Sequence, residues 1–127
     1  MTAGTKPRVL VADDHAAFTL ALKGLLEPDC ELVGQASTVA ELLAGAHEWH
    51  PDVAIVDLML PESNGIDACR QLKAAFPSMG IVMLTAMDDP DIRQAALAAG
   101  ASGFVPKHSA GLLLLDAIRA AWRNPLS

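Results

Sequence analysis

Four short runs, Val9-Leu10-Val11-Ala12, Val53-Ala54-Ile55-Val56, Ile81-Val82-Met83-Leu84 and Gly103-Phe104-Val105, contain no polar side chain. A strand with one wet face alternates apolar and polar residues, whereas a continuous β-branched run belongs in a strand covered on both faces of a parallel sheet. A fifth segment, Glu31-Leu32-Val33-Gly34-Gln35-Ala36, is more mixed and reads as an edge strand.

Between the runs lie stretches with helical spacing. Phe18, Leu22, Leu25 and Leu26 form the first stripe, ended by Pro28-Asp29; Thr38 with Glu41 makes a capping box ahead of Leu42, Leu43 and Ala46. Cys69, Leu72 and Phe76 mark a third helix stopped by Pro77. Asp89-Pro90 starts a fourth that ends at Gly100, and Ser109 caps a fifth running to about Arg123. Strand and helix thus alternate five times, which predicts an open (βα)5 parallel sheet with helices on both faces and strand order 2-1-3-4-5. With 127 residues there is room for one such domain, expected over residues 8–123 between a disordered tail at 1–7 and the start of a linker or C-terminal tail at 124–127.

Charge and composition narrow the function. A formal net charge of −6 repels phosphate backbones, and no basic cluster offsets it, which argues against direct nucleic-acid binding by this chain. The run Leu112 to Leu115 is far too short for a membrane span. Cys30 and Cys69 stand in no ligand pattern and read as buried free thiols of a cytoplasmic protein. The four histidines, in separate segments without a ligand spacing, read as surface groups or as neighbours of the ligands rather than as metal ligands themselves.

The chemistry collects at the carboxyl ends of the strands: Asp13 and Asp14 after the first, Asp57 after the third, Thr85 after the fourth, Lys107 just past the fifth. Ligands of open α/β sheets bind at those ends, where strand order reverses, here between strands one and three. Three carboxylates crowded there repel one another unless protonated or bridged by a hard divalent cation, and Mg2+ suits a site that also takes phosphate oxygens. Lys107 adds a mobile positive charge and Thr85 a hydroxyl donor, as phosphoryl transfer to Asp57 requires. Asp14 also stands where a helix cap is expected.

Val11-Ala12-Asp13-Asp14-His15, Asp57-Leu58-Met59-Leu60-Pro61 with Gly65, Leu84-Thr85-Ala86, and Ala99-Gly100-Ala101-Ser102-Gly103-Phe104-Val105-Pro106-Lys107 together resemble the receiver domain of two-component response regulators over about residues 8–123. The Asp-Asp-His opening is similar to the NarL/LuxR class. The resemblance implies a flavodoxin-like fold in which Asp57 accepts a phosphoryl group from a sensor histidine kinase. It implies Mg2+ on Asp14, Asp57 and the Met59 carbonyl, helped by Asp13. Lys107 and Thr85 would bind phosphoryl oxygens, and Thr85 and Phe104 would move as a switch on the surface of helix four, strand five and helix five. In that class DNA is reached through an output domain absent here, and the surplus apolar surface of helix five is a candidate for self-association or for docking such a domain.

Two positions depart from the commonest pattern: His108 follows Lys107 where many relatives have proline with a cis bond, and Met59 and Met87 stand where polar residues help orient hydrolytic water. Thioethers orient water poorly, so slow self-dephosphorylation is expected. The chain reads as a phosphoacceptor switch that promotes its own phosphorylation and dephosphorylation, rather than as a turnover enzyme. Alternatives left open are a stand-alone receiver or docking module, and an aspartyl-phosphate phosphatase, which lacks its general acid because Met59 holds that place. A flavin carrier of the same topology lacks a hydroxyl-rich phosphate cradle after the first strand.

Overall fold

A computed structural model describes residues 6–61, 64–87 and 89–123. The elements run β1 (Arg8–Ala12), α1 (Ala16–Leu26), β2 (Glu31–Ala36), α2 (Val39–Trp49), β3 (Val53–Asp57), α3 (Gly65–Ala75), β4 (Gly80–Thr85), α4 (Pro90–Ala98), β5 (Gly103–Pro106), a 3-10 turn (Lys107–Ser109) and α5 (Ala110–Arg123). All pairings are parallel and the strand order is β2-β1-β3-β4-β5, as expected. Pro7, placed in the tail by the expected boundary, is buried, and its carbonyl accepts the Glu31 N–H at 2.9 Å. The remaining tail residues, 1–5 and 124–127, lie outside the described residues.

The period-two geometry of a strand divides each apolar run between two cores. Leu10, Ala12, Ala54, Val56, Ile81, Met83 and Phe104 face α2, α3 and α4, while Val9, Val11, Val53, Ile55, Val82, Leu84 and Val105 face α1 and α5. β3 and β4 are buried at every residue, and β2 lies at the wetter edge. Cys30 and Cys69 are buried and unbridged, and burial pushes the Cys69 thiol up to about 11.

Local signals mostly hold. Thr38 Oγ1 accepts from Glu41 N–H at 3.1 Å, while the Glu41 carboxylate reaches one residue further back, to the Ser37 N–H at 2.7 Å. Asp89 caps α4 through the Asp91 N–H at 2.8 Å with Pro90 in the first turn, and Gly100 (φ +113°) ends it in a conformation glycine adopts without strain. Asp14 does not cap α1: the cap position falls on His15, with no side-chain hydrogen bond. Leu25 of the α1 stripe is exposed, and the buried Thr19 takes a core place instead, its hydroxyl donating to the His15 carbonyl. On α5, Leu114 and Ile118 are buried and Trp122 half-buried, whereas Leu112 is 81% exposed. The Lys107–His108 bond is trans.

Candidate phosphoacceptor site

β1, β3 and β5 end on the same rim of the sheet, β4 lying between the last two, and a charged group stands at the end of each. Asp13 follows β1, with its N–H held by the Ala36 carbonyl at the end of β2 (2.9 Å). Its Oδ1 accepts the His15 N–H at 2.7 Å, a local turn that leads the chain off the sheet into α1. Asp57 is the last residue of β3 and 1% exposed, and its Oδ1 accepts the Met59 N–H at 3.0 Å. Both carboxylates therefore keep one oxygen for the turn that positions them and turn the other to the cleft.

Lys107 closes the group from β5. Its Nζ lies 2.8 Å from Asp13 Oδ2 and 3.2 Å from Asp57 Oδ2, with its side chain 16% exposed and the two carboxylates almost wholly buried. Burial alone would lower the Lys107 pKa. The Asp13 and Asp57 carboxylates outweigh that and raise it above its ordinary value. The stem passes over α1, where Nζ stands 4.6 Å from the Phe18 ring centroid, a cation-π contact. Although the Asp13 ion pair is the shorter of the two, its Oδ2 makes no aligned hydrogen bond.

The cluster is completed by two groups from the loop between β1 and α1. The Asp14 side chain is 34% exposed, and Asp13, Asp14, His15 and Asp57 each offer a donor atom within 4.8 Å of the others. Such a set of three carboxylates and one lysine retains a formal surplus of negative charge, and a buried oxygen without a hydrogen bond points into it. The donors fit a divalent cation with mainly oxygen ligands.

The other expected residues lie close by in different states. Thr85, the last residue of β4 and 1% exposed, turns its hydroxyl to Met87, donating to the carbonyl at 2.8 Å and accepting from the N–H at 3.0 Å. Phe104 on β5 is 9% exposed and packs into the α4-side core, with Arg93 Cζ 5.3 Å from its ring centroid. Met59 and Met87 expose their side chains. Gly65 permits the return into α3: a Cβ there would stand 2.6 Å from Leu58 Cα, where the Gly65 N–H meets the Leu58 carbonyl.

Two further side chains take part. His15, read as a surface group or a neighbour of the ligands, has Nδ1 3.1 Å from Asp13 Oδ1 and 3.2 Å from Lys107 Nζ. Phe18, read only as core, also supports Lys107. The available signal was their position, one residue and one helical turn beyond the Asp13-Asp14 pair.

Comparison with known proteins agrees with this geometry. The family model of the response regulator receiver domain matches residues 9–119. The chain is 37% identical over 114 residues to the DNA-binding transcriptional activator DevR/DosR of Mycobacterium tuberculosis, covering 88% of this chain and 52% of that protein. It is 31% identical over 120 residues to the response regulator protein VraR of Staphylococcus aureus, covering 92% and 57%. The signal receiver domain of the putative response regulator NarL from Mycobacterium tuberculosis superposes with a TM-score of 0.87 at 28% identity, covering 94% of this chain and 98% of that one. A LuxR-family two-component response regulator from Aurantimonas gives 0.88 at 30% identity, covering 93% and 86%. The chain belongs to the response regulator receiver domain family. It spans about half the length of the curated relatives it matches. Among the described residues no helix is long and apolar enough to cross a membrane.

Proposed function

We propose that this receiver is a cytoplasmic, phosphorylation-controlled switch in which Asp57 accepts a phosphoryl group from the phosphohistidine of a sensor histidine kinase. One observation carries the reading: the Lys107 ammonium lies within 3.2 Å of both Asp13 and Asp57, although the three residues come from different strand ends. In the transfer, the donor phosphorus–nitrogen bond breaks as a bond forms from phosphorus to an Asp57 carboxylate oxygen, and the kinase imidazole leaves. Mg2+ held by Asp13, Asp14, Asp57 and the Met59 carbonyl would neutralise charge on the phosphoryl oxygens.

The protein's own groups then respond. Lys107 pairs with a phosphoryl oxygen, and Thr85 leaves Met87 to donate its hydroxyl to another. Phe104 moves into the space Thr85 vacates, which changes the outer surface of α4, β5 and α5. Inverting a 1:99 equilibrium needs about 5.5 kcal/mol of differential interaction, more than one contact supplies and within reach of Lys107, Thr85 and Mg2+ together. The chain acts as a phosphoacceptor that promotes its own phosphorylation and dephosphorylation.

The relatives support an output step. DevR/DosR is a DNA-binding transcriptional activator, and we assign this receiver to control of a LuxR-type DNA-binding domain, with DNA contacted only by that domain. Leu112 and Leu113 of α5 are exposed and offer a surface for a homodimer. Incubation with a small phosphodonor and Mg2+ tests the reading: the wild-type chain should take up one phosphoryl group and Asp57→Asn none, while full labelling of the variant refutes the acceptor assignment.

A further inference from the structure

We infer that His15 is a metal ligand of this site and sets its choice of cation, favouring divalent transition metals over Mg2+ by supplying an imidazole nitrogen. The inference rests on the metal-dependent reading of the acidic cluster given above. His15 Nδ1 stands 3.1 Å from Asp13 Oδ1, 3.4 Å from Asp14 Oδ1 and 4.0 Å from Asp57 Oδ2. Donors around one octahedral cation at 2.0–2.1 Å lie about 3 Å apart when adjacent and about 4 Å apart when opposite. The imidazole nitrogen thus has the separations of a member of one coordination sphere, not of a bystander on the rim.

Two neighbours ask opposite things of Nδ1: the Lys107 ammonium at 3.2 Å calls for a lone pair and the Asp13 carboxylate oxygen at 3.1 Å for a proton. A divalent cation among the carboxylates would take the place of the ammonium at that nitrogen, with the ring proton on Nε2. The ring already stands at the cluster, and the His15 backbone N–H, donated to Asp13 Oδ1 at 2.7 Å, holds the main chain that carries it. The 64% exposed side chain leaves Nε2 toward water, so ligation strands no buried donor. Imidazole binds Mn2+, Co2+, Ni2+ or Zn2+ far better than Mg2+, which keeps oxygen ligands and water. A site built from Asp13, Asp14 and Asp57 alone would lack this preference.

The test is calorimetric titration of the 127-residue chain with CoCl2 and with MgCl2, alongside NMR of the imidazole signals. Co2+ should shift or broaden the His15 ring signals before those of His47, His50 and His108. His15→Gln should weaken Co2+ binding at least about tenfold while changing Mg2+ binding less than about twofold. Equal effects on both metals, or an unchanged Co2+ affinity, overturn the inference. Asp13→Asn separates the underlying reading: it should weaken both metals, and failure to do so, or failure of the wild type to bind either metal, refutes the acidic cluster itself as the site. His15→Ala, with unfolding temperature measured for each variant, guards against a result caused by misfolding.

Discussion

Lys107 Nζ donates to Asp57 Oδ2 at 3.2 Å across fifty residues of chain, so the cation on the β5 side and the carboxylate ending β3 are already paired before any phosphoryl group arrives. A phosphoryl oxygen on Asp57 would replace a carboxylate oxygen as the lysine's partner, and the pair is therefore both a stabilising contact and a sensor.

Removing the lysine leaves Asp13 and Asp57 facing each other uncompensated. Lys107→Met is expected to destabilise the fold by about 1–3 kcal/mol, below the usual cost for a fully buried pair because the site opens to water. Added Mg2+ should recover much of the loss, which urea unfolding with and without the metal would measure. The raised Lys107 pKa fixes the pH dependence. Its contribution is complete below the ordinary value of 10.5 and is lost as pH rises through the higher folded value, so wild type should lose stability in that alkaline window and Lys107→Met should show no such step.

Gly65 tests the backbone path. An added Cβ meets Leu58 backbone at 2.6 Å, and backbone cannot step aside as a flexible side chain can. Gly65→Ala should cost about 1–3 kcal/mol and slow phosphorylation by displacing the turn after Asp57; an unchanged denaturation midpoint would show that the turn relaxes freely.

Most of the fold was legible because unbroken apolar runs and capped amphipathic stretches report burial directly, and Asp89-Pro90 and Gly100 marked their helix ends by backbone chemistry alone. Asp13, Asp14, Asp57 and Lys107 were legible because strand ends in a parallel sheet converge whatever lies between them. What stayed hidden depends on side-chain direction. Leu25 and Thr19 exchange the places that a helical stripe assigns them, and His15 sets Nδ1 against Asp13 Oδ1 although its side chain is largely exposed. The engagement of Thr85 with Met87 is likewise a rotamer choice that spacing does not reveal.

That Thr85 hydroxyl separates acceptance from switching. Thr85→Val removes two hydrogen bonds of the buried hydroxyl and should cost about 1–2 kcal/mol in the unphosphorylated protein. Asp57 should still be labelled, but the phosphorylation-dependent change in NMR shifts at Phe104 should be lost. A full response at Phe104 in the variant would remove Thr85 from the switch.

Met59 and Met87 bear on the lifetime of the phosphorylated state. Both thioethers are exposed beside the site and neither orients water well, so the acyl phosphate should persist well beyond seconds. Met59→Asn should shorten its lifetime by at least about tenfold by offering a hydrogen-bonding group to the attacking water. Loss of the label followed by phosphate-affinity electrophoresis would reveal either outcome.

Chemical trapping of the acyl phosphate addresses the central assignment most directly. Reduction of the phosphorylated chain with borohydride converts an aspartyl phosphate to homoserine, and peptide mass mapping then locates it. Conversion at residue 57 alone, in proportion to the phosphoryl group taken up, is the predicted result; conversion at Asp13 or Asp14, or a label that survives borohydride on another residue type, would contradict it.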